Sequence, residues 1–534
     1  MTHPTVTARL ERLTPDQRAA ATAPPGPVLC VAPAGSGKTT TLVARIAWLV
    51  DGGAAPGAVA AITFNARAAQ ELGERLDAAL APIGIAPGDV RVRTFHALGR
   101  EILRDAGVDV SGLVDRARVL ESLFPEADRA ERGRLDTAFS RLKLEWSVDV
   151  RAIEADSAAG PTARAFVVYQ RAMESRGAID FDDLVARALA VLEGDAHLRA
   201  RWRARCAHLL VDEVQDVDRS QLRLALLLAA PENRVFLVGD DDQSIYGWRL
   251  ADVRRVLALE AALPGLLRVD LEVNHRCPVP VVERAVRLIE HNEERFAKVI
   301  RPRPDAAGSL ILAPDPADEP ARSGRLLASW PDDGGTRAIL ARTNRELQPA
   351  VVAALAAGEP FRAPSVELVV DDPGLDGVLD RLASEAPADL PLLVRLGRLR
   401  RSVGGTERDL AAALLAWAPP YPDVPTFLAA IAAARRHLGE LRRDDARLSL
   451  ATAHSTKGAE FDHVAVVGMD AGRFPSGRAI TDAEDPGRAL EEERRLGYVA
   501  WTRARRTLTL SYDPEAPSPF LLEAFTAEEL GLTG

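Results

Sequence analysis

Short, wholly apolar runs alternate with stretches of helical periodicity from residue 28 to about 100. Val28-Leu-Cys-Val-Ala32 reads as a buried strand and Thr41-Leu-Val-Ala-Arg-Ile-Ala-Trp-Leu-Val50 as an amphipathic helix. Val59-Ala-Ala-Ile-Thr-Phe64 reads as a second strand, followed by a helix through Leu80, and Val90-Arg-Val-Arg-Thr-Phe95 as a third. Between about 101 and 178 the strand signals vanish into a polar, arginine-rich, helix-patterned stretch. They return at Leu209–Asp212 and Val235-Phe-Leu-Val-Gly239, and a second set appears at Leu271–Val273, Ala338–Arg342, Leu448–Thr452 and Val464–Met469. The pattern predicts an α/β protein of two units with parallel sheets, each interrupted by a mainly helical insertion. The first unit is expected over 1–100 and 179–265 with its insertion at 101–178, and the second over 266–362 and 448–534 with a shortened insertion at 363–447.

Two loops at the ends of these strands carry chemistry. After the first strand comes Ala32-Pro-Ala-Gly-Ser-Gly-Lys-Thr-Thr40, a glycine-rich turn that opens a helix. Strand, turn and helix in that order let the backbone N–H groups of Ala34, Gly35, Ser36, Gly37 and Thr40 converge on phosphate oxygens, with the helix dipole adding to the attraction. Lys38 supplies a compact charge for the outer phosphates, and Thr39 is placed to ligate Mg²⁺. Far downstream, Leu209-Leu-Val-Asp-Glu-Val-Gln-Asp216 is an apolar strand ending in paired carboxylates, where ligands gather in parallel sheets. Asp212 is the second candidate for Mg²⁺, and Glu213 the candidate to orient or deprotonate the attacking water.

Composition narrows the setting. At 534 residues the chain exceeds a single core, and no apolar stretch approaches the length of a membrane span. The N-terminus lacks a signal-peptide pattern, and Cys30, Cys206 and Cys277 are too scattered for a zinc site or a disulfide framework, so a reduced cytoplasmic compartment is expected. A net charge of −10 argues against coating nucleic acid through bulk charge but leaves room for a local groove. Lysine is scarce: of four, Lys38 and Lys457 fall inside motifs, where a point-like ammonium was kept in a chain that otherwise uses arginine.

With these residues in place the chain resembles superfamily 1 DNA helicases of the UvrD/Rep/PcrA family from Leu13 almost to the C-terminus. Thr14-Pro-Asp-Gln17 resembles the family's adenine-reading motif, and Gly35–Thr39 with Asp212-Glu213 its two phosphate and metal motifs. Val238-Gly-Asp-Asp-Asp-Gln-Ser-Ile-Tyr-Gly-Trp-Arg249 resembles the third. Asn274-His-Arg276, His454-Ser-Thr-Lys-Gly458 with Glu460, and the segment Glu491–Arg505 resemble the fourth to sixth, and Ile179-Asp-Phe-Asp-Asp-Leu184 a further signature. The resemblance implies two RecA-like domains with ATP and Mg²⁺ in the cleft between them. It implies that Gln243 senses the γ-phosphate, that Arg276 and Arg503 act as arginine fingers, that His275 stands beside adenine and that Glu460 touches the ribose. It assigns Phe64, Asn65, Thr94, His96, Tyr246, Trp248, Arg249 and His454 to single-stranded DNA, the aromatic ones by stacking on bases. The substrates implied are single-stranded and tailed duplex DNA, with 3′ to 5′ movement.

Several positions depart from the family pattern. His275 replaces a usual tyrosine, the segment around Asn65 lacks the common Thr-Asn-Lys pattern, Leu250 stands where glycine is common, and the second insertion is short. No C-terminal extension is expected. Two readings follow: a translocase and helicase of repair or replication restart, or a DNA- and nucleotide-sensing ATPase subunit partnered by a nuclease or repair factor, as in an antiphage defence complex.

Overall fold

The computed structural model describes residues 2–364, 366, 368–384 and 390–532, so residues 365, 367 and 385–389 of the expected second insertion, and both chain ends, lie outside the described residues. The chain divides into two compact units, one of residues 1–272 and 294–299, the other of residues 273–293 and 300–534.

The first unit is built on a six-stranded parallel sheet. Its strands are β1 (Val28–Val31), β2 (Val59–Thr63), β3 (Arg91–Thr94), β4 (His208–Val211), β5 (Val235–Gly239) and β6 (Leu267–Asp270), in the order β3-β2-β4-β5-β1-β6. Strands β1, β2 and β5 are buried at every position, as a sheet covered by helices on both faces requires. The expected boundary after residue 265 is corrected here, because β6 pairs in parallel with β1, Val28 opposite Leu267 through Val31 opposite Asp270. As an edge strand, Leu267-Arg268-Val269-Asp270 alternates apolar and polar residues and lacks the continuous apolar run of its neighbours. The expected strand at Leu271–Val273 likewise falls between β6 and a two-residue strand, β7 (Val273–Asn274).

The first insertion is helical, with Arg116–Leu123, Arg129–Ser140, a π-helical turn Arg141–Glu145, Val150–Ala155 and Pro161–Ser175. These helices close around a core of their own, with Phe139, Phe166, Tyr169 and Met173 at its centre.

The second unit holds β7 paired with β8 (Arg301–Pro302), and a second six-stranded parallel sheet. The sheet consists of β9 (Ser309–Pro314), β10 (Arg337–Ala341), β11 (Phe361–Arg362), β12 (Leu448–Thr452), β13 (Phe461–Val466) and β14 (Ala504–Tyr512), in the order β11-β12-β10-β13-β14-β9. Its insertion contributes the helices Leu375–Ser384, Leu392–Ser402, Gly405–Trp417 and Val424–Leu441. Their Leu396, Leu414, Trp417 and Phe427 belong to the same core as Ile339, Val351 and Leu450 of the sheet and its flanking helix. Among the described residues no helix is long and apolar enough to cross a membrane.

Candidate nucleotide site and nucleic-acid groove

In the first unit the loops after β1, β4 and β5 leave the same edge of three adjacent strands, since β5 pairs in parallel with both β1 and β4. Gly35 (φ +70°) and Gly37 (φ +86°) take the left-handed conformation that turns successive N–H groups inward. A side chain at Gly37 would also collide with Gln17, its Cβ standing 2.6 Å from Gln17 Nε2. Gln17 donates from Nε2 to the Ser36 carbonyl at 2.8 Å, so the expected adenine reader is tied to the phosphate loop itself. Lys38 opens the helix Lys38–Asp51, and its Nζ lies 3.1 Å from Glu213 Oε1. Burial would drive the proton off Lys38, but Glu213, Asp240 and Asp212 outweigh it and hold the ammonium above its ordinary range.

Glu213 occupies a left-handed conformation (φ +52°, ψ +45°) that a side chain adopts at a cost, and Asp212 Oδ1 accepts its N–H at 3.0 Å. The Ser36 hydroxyl is buried with no hydrogen-bond partner, a donor left for an anionic ligand. The loop therefore fits a nucleoside triphosphate. Among the described residues no cluster of three His, Cys, Asp or Glu side chains could hold a metal by itself. Mg²⁺ here would take oxygens from Thr39 and Asp212 and the rest from phosphate and water, the habit of an ion that dehydrates reluctantly. Once bound it would neutralise charge on the phosphates.

The loop after β5 is joined to this pair by Gln215, a residue outside the expected site. Gln215 donates to Glu213 Oε2 and accepts the Asp240 N–H at 3.0 Å. Asp240 Oδ2 in turn accepts Gln243 Nε2 at 2.7 Å, and Gln243 is buried. Gly239 carries no side chain because a Cβ there would stand 2.2 Å from Gln215 Oε1.

Beside the sheet edge runs a groove of about 910 Å³ lined by residues of the first unit and its insertion. Phe64, Asn65, Thr94, His96, Trp248 and Arg249 line it. Phe64 and Tyr246 stack at 5.2 Å and 12°, Tyr246 meets Trp248 edge-on at 6.1 Å, and the Arg249 guanidinium covers the Trp248 ring at 4.6 Å. Trp248 remains 57% exposed in spite of these contacts. Phe181, absent from the expected set, is 58% exposed in the same groove and meets His96 edge-on at 5.7 Å. Burial lowers the His96 pKa, so the imidazole is neutral at pH 7. Asn65 and Thr94 cap the helices Ala66–Leu80 and Phe95–Asp105, accepting Ala68 N–H at 2.8 Å and Ala97 N–H at 3.2 Å. Their placement is thus fixed by helix starts.

The second unit gathers its own set. Arg276 donates from Nε to Glu460 Oε2 at 2.8 Å and from Nη1 to the Thr502 carbonyl at 3.2 Å. Arg503, 1% exposed, donates to the carbonyls of Val499 (2.7 Å) and Ala459 (3.2 Å) and to Thr502 Oγ1 (3.1 Å). The two arginines thus meet at Thr502, and Arg276 carries Glu460 on its Nε. Burial would raise the Glu460 pKa, but Arg276 and then Arg505 outweigh it and keep the carboxylate ionised. His275 is exposed next to Arg276. Burial, reinforced by Arg342, pushes the His454 pKa down to about 4, so this ring would meet a phosphate as a neutral hydrogen-bonding group.

A family model for the UvrD/REP helicase N-terminal domain matches residues 13–264, and one for the UvrD-like helicase C-terminal domain matches residues 423–515. The chain is 30% identical to DNA helicase II of Escherichia coli strain K12, an alignment covering 94% of this chain and 84% of that protein. It is 27% identical to the ATP-dependent DNA helicase Rep of the same organism, with 96% and 94% covered, and 27% identical to the ATP-dependent DNA helicase PcrA of Leuconostoc citreum, with 91% and 80% covered. This chain belongs to the UvrD-like helicase family. Within that family one departure acquires a physical meaning: Leu250, where glycine is common, stands at φ +68° with its side chain buried in the first unit's core. Backbone strain of roughly 1–2 kcal/mol is set there against apolar burial of roughly 1.5–3 kcal/mol.

Proposed function

We propose that this chain is an ATP-dependent translocase and helicase that moves 3′ to 5′ along single-stranded DNA, serving repair or replication restart. The observation that carries the reading is the presence in one unit of a phosphate loop facing Glu213 and a groove lined by exposed rings, with Phe64 and Tyr246 on adjoining loops of the sheet edge. In the first unit Lys38 binds the outer phosphates, Glu213 orients the attacking water and Gln243 reports the state of the γ-phosphate. Arg276 and Arg503 stabilise charge developing on the transferred phosphoryl group, a role worth roughly 10³ to 10⁵ in rate in other nucleotide hydrolases.

The groove grips bases in preference to phosphates. Its Arg116 is already paired with Asp180 and Asp182, and its exposed Trp248 and Phe181 rings offer π-faces that accept any base. Affinity should therefore fall gently with salt, because few counterions are released.

The test is ATP turnover with and without single-stranded DNA, together with unwinding of duplexes bearing a 3′ or a 5′ tail. Stimulation with unwinding of the 3′-tailed duplex is expected. Stimulation with neither duplex unwound would move the weight to the partner-dependent sensing subunit, and unwinding of the 5′-tailed duplex alone would reverse the direction. Trp248→Ala should weaken single-strand binding by about 1–3 kcal/mol, measured by fluorescence titration. Unchanged affinity would remove the groove from the DNA path.

A further inference from the structure

After leaving the first unit at Glu272 the chain returns to it for residues 294–299. This short segment is fastened far more firmly than a passing loop requires. Phe296 enters the first unit's core under the Arg268 guanidinium, 4.4 Å from its ring, and its N–H donates to Asp241 Oδ2 at 2.8 Å. Arg295 forms a two-pronged pair with Asp242, Nε to Oδ1 at 3.0 Å and Nη2 to Oδ2 at 2.8 Å. Lys298, whose side chain is 1% exposed, reaches Asp240 Oδ1 at 2.9 Å, Asp242 Oδ2 at 2.9 Å and Asp241 Oδ1. All three aspartate side chains are fully buried.

One ammonium with three protons thus faces three carboxylates contributed by three consecutive residues. A tetrahedral point charge satisfies that arrangement, and a planar guanidinium fork does not. The chain keeps only four lysines among 67 basic residues, and this is one of them. The cluster also lies directly behind the chemistry. Asp240 takes the ammonium on Oδ1 and Gln243 on Oδ2, while its N–H is held by Gln215, which holds Glu213.

We infer that Lys298, seconded by Arg295, is a positioning residue for nucleotide hydrolysis, locking the Asp240–Asp242 turn so that Gln243 and the Gln215–Glu213 pair are presented in one geometry. The inference rests on the reading of Gln243 as the γ-phosphate sensor. Two cations oppose three buried carboxylates, so an unlocked turn would carry repelling charges and have no fixed shape.

The experiment is a double-mutant cycle on the full chain with Lys298→Arg and Gln243→Ala, reading ATP kcat and KM in saturating oligo-dT alongside thermal unfolding. Lys298→Arg should lower kcat roughly 10- to 100-fold while KM for ATP stays within about threefold, because a misplaced positioning group costs rate. The double variant should be slowed by clearly less than the product of the two single losses, since the share of the Lys298 effect that runs through Gln243 is already gone. A wild-type kcat in Lys298→Arg, or losses that multiply in the double variant, would overturn the inference. If Gln243→Ala alone turns over normally, the sensor reading itself has failed and the inference goes with it. Should Lys298→Arg not fold, Asp240→Asn replaces it in the cycle, with the same expected and opposing outcomes.

Discussion

The two helical insertions are attached to their parent units by opposite physics. The first keeps an apolar core of its own, sends Leu144 into its parent's core, and is otherwise tied to its parent through charge. Lys143, buried, donates to Asp180 at 2.8 Å and Asp183 at 2.9 Å, Tyr169 donates to the same Asp180 oxygen at 2.6 Å, and Arg116 bridges Asp180 and Asp182. Further polar ties run from Ser220 to the Leu144 carbonyl at 2.7 Å and from Arg255 to Glu145. The second insertion has no such separation, since Leu414, Trp417 and Phe427 pack into one continuous core with the sheet. Directional bonds fix an angle and fail all at once when a partner is lost, whereas a shared apolar core makes two elements melt together.

The strongest way to break this contrast is Lys143→Met. It leaves Asp183 with the Asp180 N–H at 3.0 Å and a longer, 3.5 Å contact to Arg187 in place of its buried ammonium, and should cost about 3–5 kcal/mol. Hydrogen exchange should quicken across residues 106–178 while the second sheet keeps its protection. Uniform loss in both units would show that the first insertion is not separately anchored. Next in size is Leu414→Ala, expected to cost about 2–5 kcal/mol from a fully buried position. Here exchange should rise in β10 and β12 as much as in the helices Gly405–Trp417 and Val424–Leu441. Loss confined to those helices would mean the core is not shared after all.

What could be read from the sequence was what local chemistry demands. The phosphate loop needs residues without side chains at left-handed positions, and Gly35 and Gly37 advertise themselves by type and spacing. Central strands buried on both faces show as unbroken apolar runs, which is why β1, β2 and β5 were legible and the alternating edge strand β6 was not. Lys298 stood outside every motif, and its three partners lie 56 to 58 residues away. The scarcity of lysine is the available signal: Lys143 and Lys298, the two outside motifs, are the centres of buried carboxylate clusters. Phe181 lies inside the Ile179–Leu184 signature with no role of its own, and only its exposure among the groove's lining residues assigns it there. The common core of the second insertion depends on which helix faces the sheet, which periodicity alone does not state.

The smallest effect tests the polar joint by pH. Asp218 caps the helix Arg219–Ala229, accepting the Gln221 N–H at 2.9 Å, beside the residues that receive the first insertion. Burial pushes its pKa up to about 7, with Asp182 and Glu145 adding to the rise and the Gln221 bond and Arg255 opposing it. The folded protein therefore binds a proton at Asp218 between about pH 4 and 7 that the unfolded chain has released, so this group's contribution to stability falls as pH rises through that window. Asn caps a helix as well as Asp and carries no charge. Asp218→Asn should thus raise the unfolding temperature at pH 8, by an energy on the order of 1 kcal/mol, with a gain that shrinks towards pH 4. Exchange across the first insertion should follow the same pH trend in the wild-type chain, while the second insertion, whose helices share the sheet's apolar core, stays level. An equal pH response in both insertions would dissolve the distinction between a charged joint and a shared core.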